Sequence, residues 1–401
     1  MPEAVIVATG RTPIGRANKG SLVDCRPDDL AALAIREVLA KIPQLDPQTV
    51  EDVILGSGQP GGEAGFNIAR VAAILAGLPN VPGVTVNRYC SSSLQAIRMA
   101  AHAIRAGEGD VFVAAGVETV SRYLYGAADT GPHNPLFADA EARTVARTPA
   151  VTEPWTPFDG LPDVYMAMGQ TAENVAELKG VSRLDQDEFA VQSQTRAVAA
   201  QEAGFFDREI IPVTLPNGDV VTKDDGPRPG TNLEKLSTLQ PVFREGGTVT
   251  AGNACPLNDG SAAVVVMSDT RAHELGITPL ARVVASGVTG LDPEIMGLGP
   301  VEAIRQTLKR AGMTIDDIDL VEINEAFAAQ VIPSARHLGI GWDKLNVKGG
   351  AIALGHPFGQ TGARIMTTLL NGLEDGDKTF GLESMCVGGG QGMAMIVERL
   401  S

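Results

Sequence analysis

The sequence predicts an α/β layered protein made of two copies of one unit, with a long excursion inside the first copy. Three observations predict it. Short apolar strands alternate with amphipathic helices through the first 121 residues, at the spacing of a layered α/β domain. The same rhythm restarts near residue 280, and landmark residues recur at nearly one offset. Asp52 and Asp319 lie 267 residues apart, as do Asp110 and Asp377, while Cys90 and His356 lie 266 apart. Residues 123–250 lack this alternation and are rich in Pro, Gly and Asp, a texture typical of lids and binding loops. The expected boundaries are 1–121 plus 251–273 for the first half, 122–250 for an inserted loop domain, and 274–401 for the second half.

Taken in order, residues 3–9 (EAVIVAT) read as a buried strand ended by Gly10. Residues 28–42 read as a helix with Asp28 as N-cap and Leu30, Leu33, Ala34, Val38 and Leu39 facing inward. A strand over 50–56 and an Ala-rich helix over 67–76 follow. Residues 84–105 (VTVNRYCSSSLQAIRMAAHAIR) pass from alternating Val84 and Val86 to Cys90 at a sharp change of period. Ser91, Ser92 and Ser93 offer N-capping chemistry to a helix whose apolar face is Leu94, Ile97, Ala101 and Ile104. Residues 110–116 are a third strand. In the excursion only 166–178 and 185–203 read as good helices, and 260–268 returns to a strand completing the first sheet. The second half reads as a strand over 281–287, helix 301–311, strand 319–323, helix 325–338, a Gly-rich turn, helix 361–372, and strands 378–385 and 393–398.

A formal charge of −16 argues against nucleic acid and against an anionic membrane surface as partners. A local cluster of arginines can still hold an anionic small ligand. The four cysteines form neither a CxxC pair nor a disulfide framework, which points to a reducing compartment. There is no signal-peptide pattern and no run of 18 apolar residues, and the terminal ERLS is not a peroxisomal address. The expectation is a cytoplasmic protein.

Chemistry concentrates at element ends. Cys90 sits where backbone N–H groups and a helix N-terminus favour thiolate, although most cysteines are small buried hydrophobes. Of five histidines only His356 has flanking glycines, Gly355 and Gly359, that allow close approach; a structural turn histidine is the competing reading. Asn324 and Glu325 stand at a strand-to-helix switch, where an Asn can also be a simple cap. Cys386 is followed by Gly388, Gly389 and Gly390, whose N–H groups can face a developing oxyanion or simply close a hairpin. Together these supply a thiol nucleophile, a base, a second acid/base and oxyanion donors. No zinc-like spacing is present, so no metal is expected.

The segments VNRYCSSSLQAI, GVETVS, MGQTAENVA, PRPGTNLEKL, TAGNACPLNDGSAAVVVMS, MGLGPVEAIR, INEAFAAQ, GGAIALGHPFGQTGAR and CVGGGQGMAMIVE resemble the thiolases in order and spacing, over essentially the whole chain. The resemblance implies a five-layered αβαβα fold with two mixed sheets and a loop domain that covers coenzyme A. It implies Cys90 as acyl-accepting nucleophile, His356 as its base and Cys386 as the acid/base acting on the acetyl-CoA carbanion. Asn324 would hold a water that shares one oxyanion hole with His356, and the N–H groups of Cys90 and Gly388 would form the other. Met168 and Phe243 are implied near pantetheine and adenine, Arg228 near the phosphates, and Met296 in the acyl pocket. Cys255 stands where many relatives carry a serine against the pantetheine, and Ala167 where short-chain biosynthetic relatives carry a histidine. The latter suggests a roomier, degradative-type pocket. The Pro-rich stretch 126–157 is unlike a compact tetramerisation loop.

The implied activity is thiolytic cleavage of 3-oxoacyl-CoA to acetyl-CoA and a shortened acyl-CoA. The alternatives are condensation of two acetyl-CoA, a β-ketoacyl synthase-like or hydrolytic enzyme, and an idle CoA- or lipid-binding relative. Coenzyme A is expected as substrate, with no tightly bound cofactor and with a homodimer or homotetramer as the assembly.

Overall fold

The computed structural model describes residues 2–123, 128–148 and 154–401. Residues 126, 127 and 149–153 of the Pro-rich stretch lie outside the described residues. The first half contains β1 (Ala4–Arg11), the two-residue β2 (Gly15–Arg16), α1 (Pro27–Ala40), β3 (Asp52–Gly56), α2 (Ile68–Leu75), β4 (Gly83–Val86), α3 (Ser92–Ala106) and β5 (Val111–Thr119). The excursion carries α4 (Ala138–Ala146), α5 (Met168–Lys179), α6 (Arg183–Glu202), a small hairpin of β6 (Val213–Thr214) and β7 (Val220–Val221), and α7 (Leu233–Ser237). Then follow β8 (Asn258–Ser268), α8 (Asp269–Glu274), β9 (Ala281–Gly290), α9 (Gly299–Ala311), β10 (Leu320–Ile323) and α10 (Ala328–Leu338). The chain closes with α11 (Ala351–Leu354), α12 (Thr361–Asp375), β11 (Phe380–Val387) and β12 (Gln391–Arg399).

The duplication is visible strand by strand. In the first half β3 runs parallel to β5, β5 antiparallel to β8, and β8 antiparallel to β1. In the second, β10 runs parallel to β11, β11 antiparallel to β12, and β12 antiparallel to β9. The counterpart of β4 is reduced to a single parallel bridge between Val321 and Leu345. The two mixed halves are laced into one ten-stranded sheet by a two-residue pairing, Val5 with Arg282 and Ile6 with Ala281.

Period-two alternation with both faces apolar explains the layers. In β8, Ala263, Val265 and Met267 face a core shared with α1 and α2, while Ala262, Val264 and Val266 face α3 and α12. In β12, Met393, Met395 and Val397 face that same central helix layer, and Ala394 and Ile396 face α9 and α10. Helix, sheet, helix pair, sheet and helix thus stack in five layers. The helices α5 and α6 of the excursion pack on α10, against the second half.

Several local expectations are corrected. Helix α1 begins at Pro27, whose fixed φ suits the first helical position; Asp28 lies in the first turn, bonded to Arg26 at 2.9 Å. Ser91 makes no side-chain cap to α3. Ser92 Oγ donates to Tyr89 O at 2.7 Å and closes the local turn, whereas Ser93 Oγ accepts the N–H of Ala363 in α12 at 2.9 Å and stitches the two halves. Helix α10 starts at Ala328, since Phe327 is extended and bridges Ala254. Helix α4 was not legible, because ADAEARTVA offers no apolar stripe. The counterpart of Cys90 also shifts. Helices α3 and α12 start at 92 and 361, so Tyr89–Ser91 corresponds to Phe358–Gln360, and Gly359 rather than His356 occupies the place of Cys90.

Candidate active site

Cys90 lies in the 3-10 turn Tyr89–Ser91, packed against Phe358–Gln360 and β11. Tyr89 has a φ of 42°, a strained backbone for a bulky residue, and its N–H donates to Asn87 Oδ1 at 2.7 Å. The strain is the signature of a side chain presented at a tight strand-to-helix turn. The Cys90 thiol is buried, with 8% of the residue exposed, and receives the N–H of Gly388 as well as its own. Burial pushes it up to about 12, and the carboxylate of Glu118 pushes in the same direction against those N–H groups. The resting group is therefore a thiol, not the thiolate that a helix N-terminus alone would favour.

His356 follows α11 and is fully enclosed. Its backbone N–H donates to Asn258 Oδ1 at 2.9 Å, in a turn where Gly355 takes a φ of 114° and a Cβ would run into Asn258. Its Nδ1 lies 2.6 Å from Thr361 Oγ1, and that hydroxyl donates to Pro357 O at 2.9 Å. Thr361 is thereby left as the acceptor, so the proton sits on Nδ1 and the lone pair on Nε2. Burial, reinforced by the Arg364 guanidinium, lowers the imidazole to about 3. It is a neutral base at every ordinary pH.

Asn324 Nδ2 stands 3.2 Å from Nε2 of His356. Its backbone is fixed by Ser384 O and by Gln330, whose Nε2 donates to Asn324 O at 2.6 Å. The buried Asn324 Oδ1 has no partner among the described residues, an acceptor that a small polar molecule would satisfy. Cys386 is fully buried near the end of β11, its thiol pushed well up by burial and by Cys90 and Cys255. Gly388 opens the β11–β12 turn; Gly389 and Gly390 close it with φ values of 75° and 79° that other residues rarely adopt. A Cβ at Gly388 would sit 3.4 Å from the Tyr89 ring and 3.6 Å from Met168 Sδ.

Of the remaining expected residues, Met168 thus borders this group directly. Phe243 lies over Gly169 and meets Phe327 edge to face at 6.1 Å. Met296 is buried in the same apolar cluster as Cys386 and Phe327. Cys255 is partly exposed, donates its N–H to Ala326 O at 3.0 Å and has its thiol pushed up by burial and by Cys90. Arg228 is at the surface, its N–H bonded to Gln194, with the charge of Arg16 nearby. Among the described residues, no group of three or more His, Cys, Asp or Glu side chains is placed to hold a metal. No helix among them is long and apolar enough to cross a membrane.

Sequence reasoning missed Thr361, Asn258 and Glu118. Thr361 could have been found as a hydroxyl five residues beyond His356. The others act across 98 and 241 residues of chain, which no local pattern signals.

The family description "Thiolase, N-terminal domain" matches residues 4–270 and "Thiolase, C-terminal domain" residues 277–399. The chain is 45% identical over 410 residues to the 3-oxoadipyl-CoA/3-oxo-5,6-dehydrosuberyl-CoA thiolase of Escherichia coli (strain K12), covering 100% of both. It is 44% identical over 411 residues to the 3-ketoacyl-CoA thiolase of Bacillus subtilis (strain 168), covering 99% of this chain and 100% of that one. It is also similar to the crystal structure of the Bacillus anthracis acetyl-CoA acetyltransferase. There the TM-score is 0.86 at 40% identity, covering 100% of this chain and 99% of that one.

Proposed function

We propose a mechanism from one premise, that this chain belongs to the thiolase family, a family of acyltransferase enzymes acting on CoA thioesters. The reaction is thiolytic cleavage of a 3-oxoacyl-CoA in a degradative pathway. The observation that carries the assignment of residues is the packing of the turn that bears a buried thiol, Cys90, on the turn Phe358–Gln360, which follows His356, a neutral histidine whose lone pair is on Nε2.

His356 Nε2 takes the Cys90 proton as Sγ attacks the 3-oxo carbon. Separate burial of each group disfavours a lone charge, so proton transfer and attack are coupled, and thiolate forms only with substrate in place. The oxyanion at the former ketone is received by the N–H groups of Cys90 and Gly388; loss of one such donor costs about 2.7–4 kcal/mol of barrier. As the tetrahedral adduct collapses, the C2–C3 bond breaks and its electron pair moves into the acetyl-CoA enolate. Asn324, through a water, and protonated His356 face the enolate oxygen, and the Cys386 thiol protonates C2. The Cys386 thiolate then takes the proton of an incoming coenzyme A, whose sulfur attacks the acyl-Cys90 thioester. The Cys90–acyl bond breaks, the shortened acyl-CoA leaves, and the departing Cys90 sulfur regains its proton from His356 Nε2. Met168, Phe243, Cys255 and Met296 line the path of pantetheine and acyl chain, and Arg228 meets the phosphates. The excursion 122–250, whose α5 and α6 lie on α10, covers the coenzyme.

Coenzyme A enters as substrate with no tightly bound cofactor, and the enzyme works as a homodimer or homotetramer in the cytoplasm, a reducing compartment that suits four cysteines without a CxxC pair or a disulfide framework. CoA-dependent loss of 3-oxoacyl-CoA across a chain-length series, including a dicarboxylic member, tests the reading. The expected result is cleavage that is lost in Cys90→Ala; no thiolysis at any length would sink it.

A further inference from the structure

Glu118, near the end of β5, is buried and carries no ion-pair partner among the described residues. Its carboxylate accepts four neutral donors from three separate segments. Gly58 N–H donates at 2.7 Å and Gln59 N–H at 3.3 Å, both from the segment leaving β3. Tyr123 O–H donates at 2.6 Å, from just beyond β5. Gly359 N–H donates at 2.9 Å, from the second half, three residues after His356. A buried carboxylate without a cation is expensive and persists only where its bonds are needed.

The Gly359 bond is the telling one. The turn Phe358–Gln360 joins His356 to Thr361, the residue that sets its tautomer. That turn has little room: a Cβ at Gly359 would collide with Val117 O and Gly56 O, and one at Gly58 would meet Phe358. The same turn packs against Tyr89–Ser91, which carries Cys90. Whatever fixes Gly359 against β5 therefore fixes the imidazole relative to the thiol. Only a carboxylate, an acceptor without hydrogens, can take all four bonds; an amide would turn its NH2 toward one of the donors.

We propose that Glu118 is a positioning residue of the reaction, whose carboxylate anchors the His356–Thr361 turn of one half to β5 and the Gly58–Gln59 segment of the other, and so holds the imidazole where that turn packs against the Cys90 turn. The role rests on the assignment of Cys90 and His356 given above. A shift of about 1 Å in a reacting group is enough for a rate loss of about 10²-fold.

The test compares Glu118→Gln, Glu118→Asp and Tyr123→Phe in the full-length enzyme. Active sites are counted by the burst of acyl-enzyme, so that misfolded protein is excluded. The wild type is assayed first: absence of thiolysis there defeats the reaction assignment, not this inference. In Glu118→Gln the expected result is kcat per titrated site lower by about 10–100-fold, with KM for coenzyme A within about twofold. Glu118→Asp, which keeps all acceptors on a shorter stem, should recover part of that loss, and Tyr123→Phe should lose no more than about threefold. A merely structural carboxylate would lower the yield of titratable sites or the unfolding temperature and leave kcat per site unchanged. Wild-type kcat per site in Glu118→Gln overturns the inference. Should that variant not fold, wild-type kcat per site in Glu118→Asp overturns it equally, and a kcat loss of about fivefold or more there supports it.

Discussion

The turn Tyr89–Ser91 leads into α3 and the turn Phe358–Gln360 leads into α12, at the same place in the two halves. In each case the other half reaches across to the turn's middle residue, but with the roles exchanged. At the first turn the middle residue is the acceptor, the Cys90 sulfur, and the second half supplies the N–H of Gly388. At the second turn the middle residue is the donor, Gly359 N–H, and the first half supplies the acceptor, Glu118. Duplication thus created two equivalent positions for chemistry. One became a nucleophile, and the other became the hinge-pin that holds its base.

The comparison is broken most severely at the first turn. Cys90→Ala should abolish acyl-enzyme formation and lower thiolysis by at least about 10⁴-fold, measured by radiolabelled acyl transfer to protein and by steady-state rates. His356→Asn, which acts on the base held by the second turn, should lower kcat by about 10²–10⁴-fold. Retention of rapid Cys90 acylation in that variant would separate the two turns functionally. Cys386→Ala should still accept an acyl group from acyl-CoA yet fail to exchange the α-proton of acetyl-CoA with deuterium, as read by NMR; normal exchange would remove its assigned role.

Smaller effects sharpen the picture. The imidazole of His356 is lowered from 6.5 to about 3 by burial, so the unfolded chain binds a proton there that the folded chain refuses. Its contribution to stability is full above pH 6.5 and is lost as the pH falls toward 3, by on the order of a few kcal/mol. The pH dependence of the urea midpoint over that window should therefore flatten in His356→Asn. At the periphery, Cys255→Ser should lower KM for coenzyme A by about two- to tenfold if a hydroxyl there bonds the pantetheine; an unchanged KM would place the ligand elsewhere.

Much of this was legible in the sequence, for identifiable reasons. Strands such as GSAAVVVMS are apolar on both faces and announce their place between helix layers. Cys90, His356, Asn324 and Cys386 stood out because glycines, serines or a change of period surrounded them. What stayed hidden was relational. The offset of 266 residues suggested that His356 mirrors Cys90, whereas the helix starts put Gly359 in that place; α11 sets His356 earlier in the chain. The serines after Cys90 looked like caps, but Ser93 reaches Ala363 across 270 residues. Glu118 passed unremarked, since a carboxylate near a strand end means nothing until its four donors converge from elsewhere in the chain.

The strand order carries a consequence for the birth of the molecule. β8 lies between β1 and β5 and pairs with both, yet it is translated after the whole excursion. At roughly 5–20 residues per second, β1 waits on the order of ten to fifty seconds for its partner. Throughout that interval the ribosome displays AVIVATGR as an open, sticky edge. The nascent chain is therefore most vulnerable to aggregation, and most in need of a holding chaperone, during synthesis of residues 12 to 257.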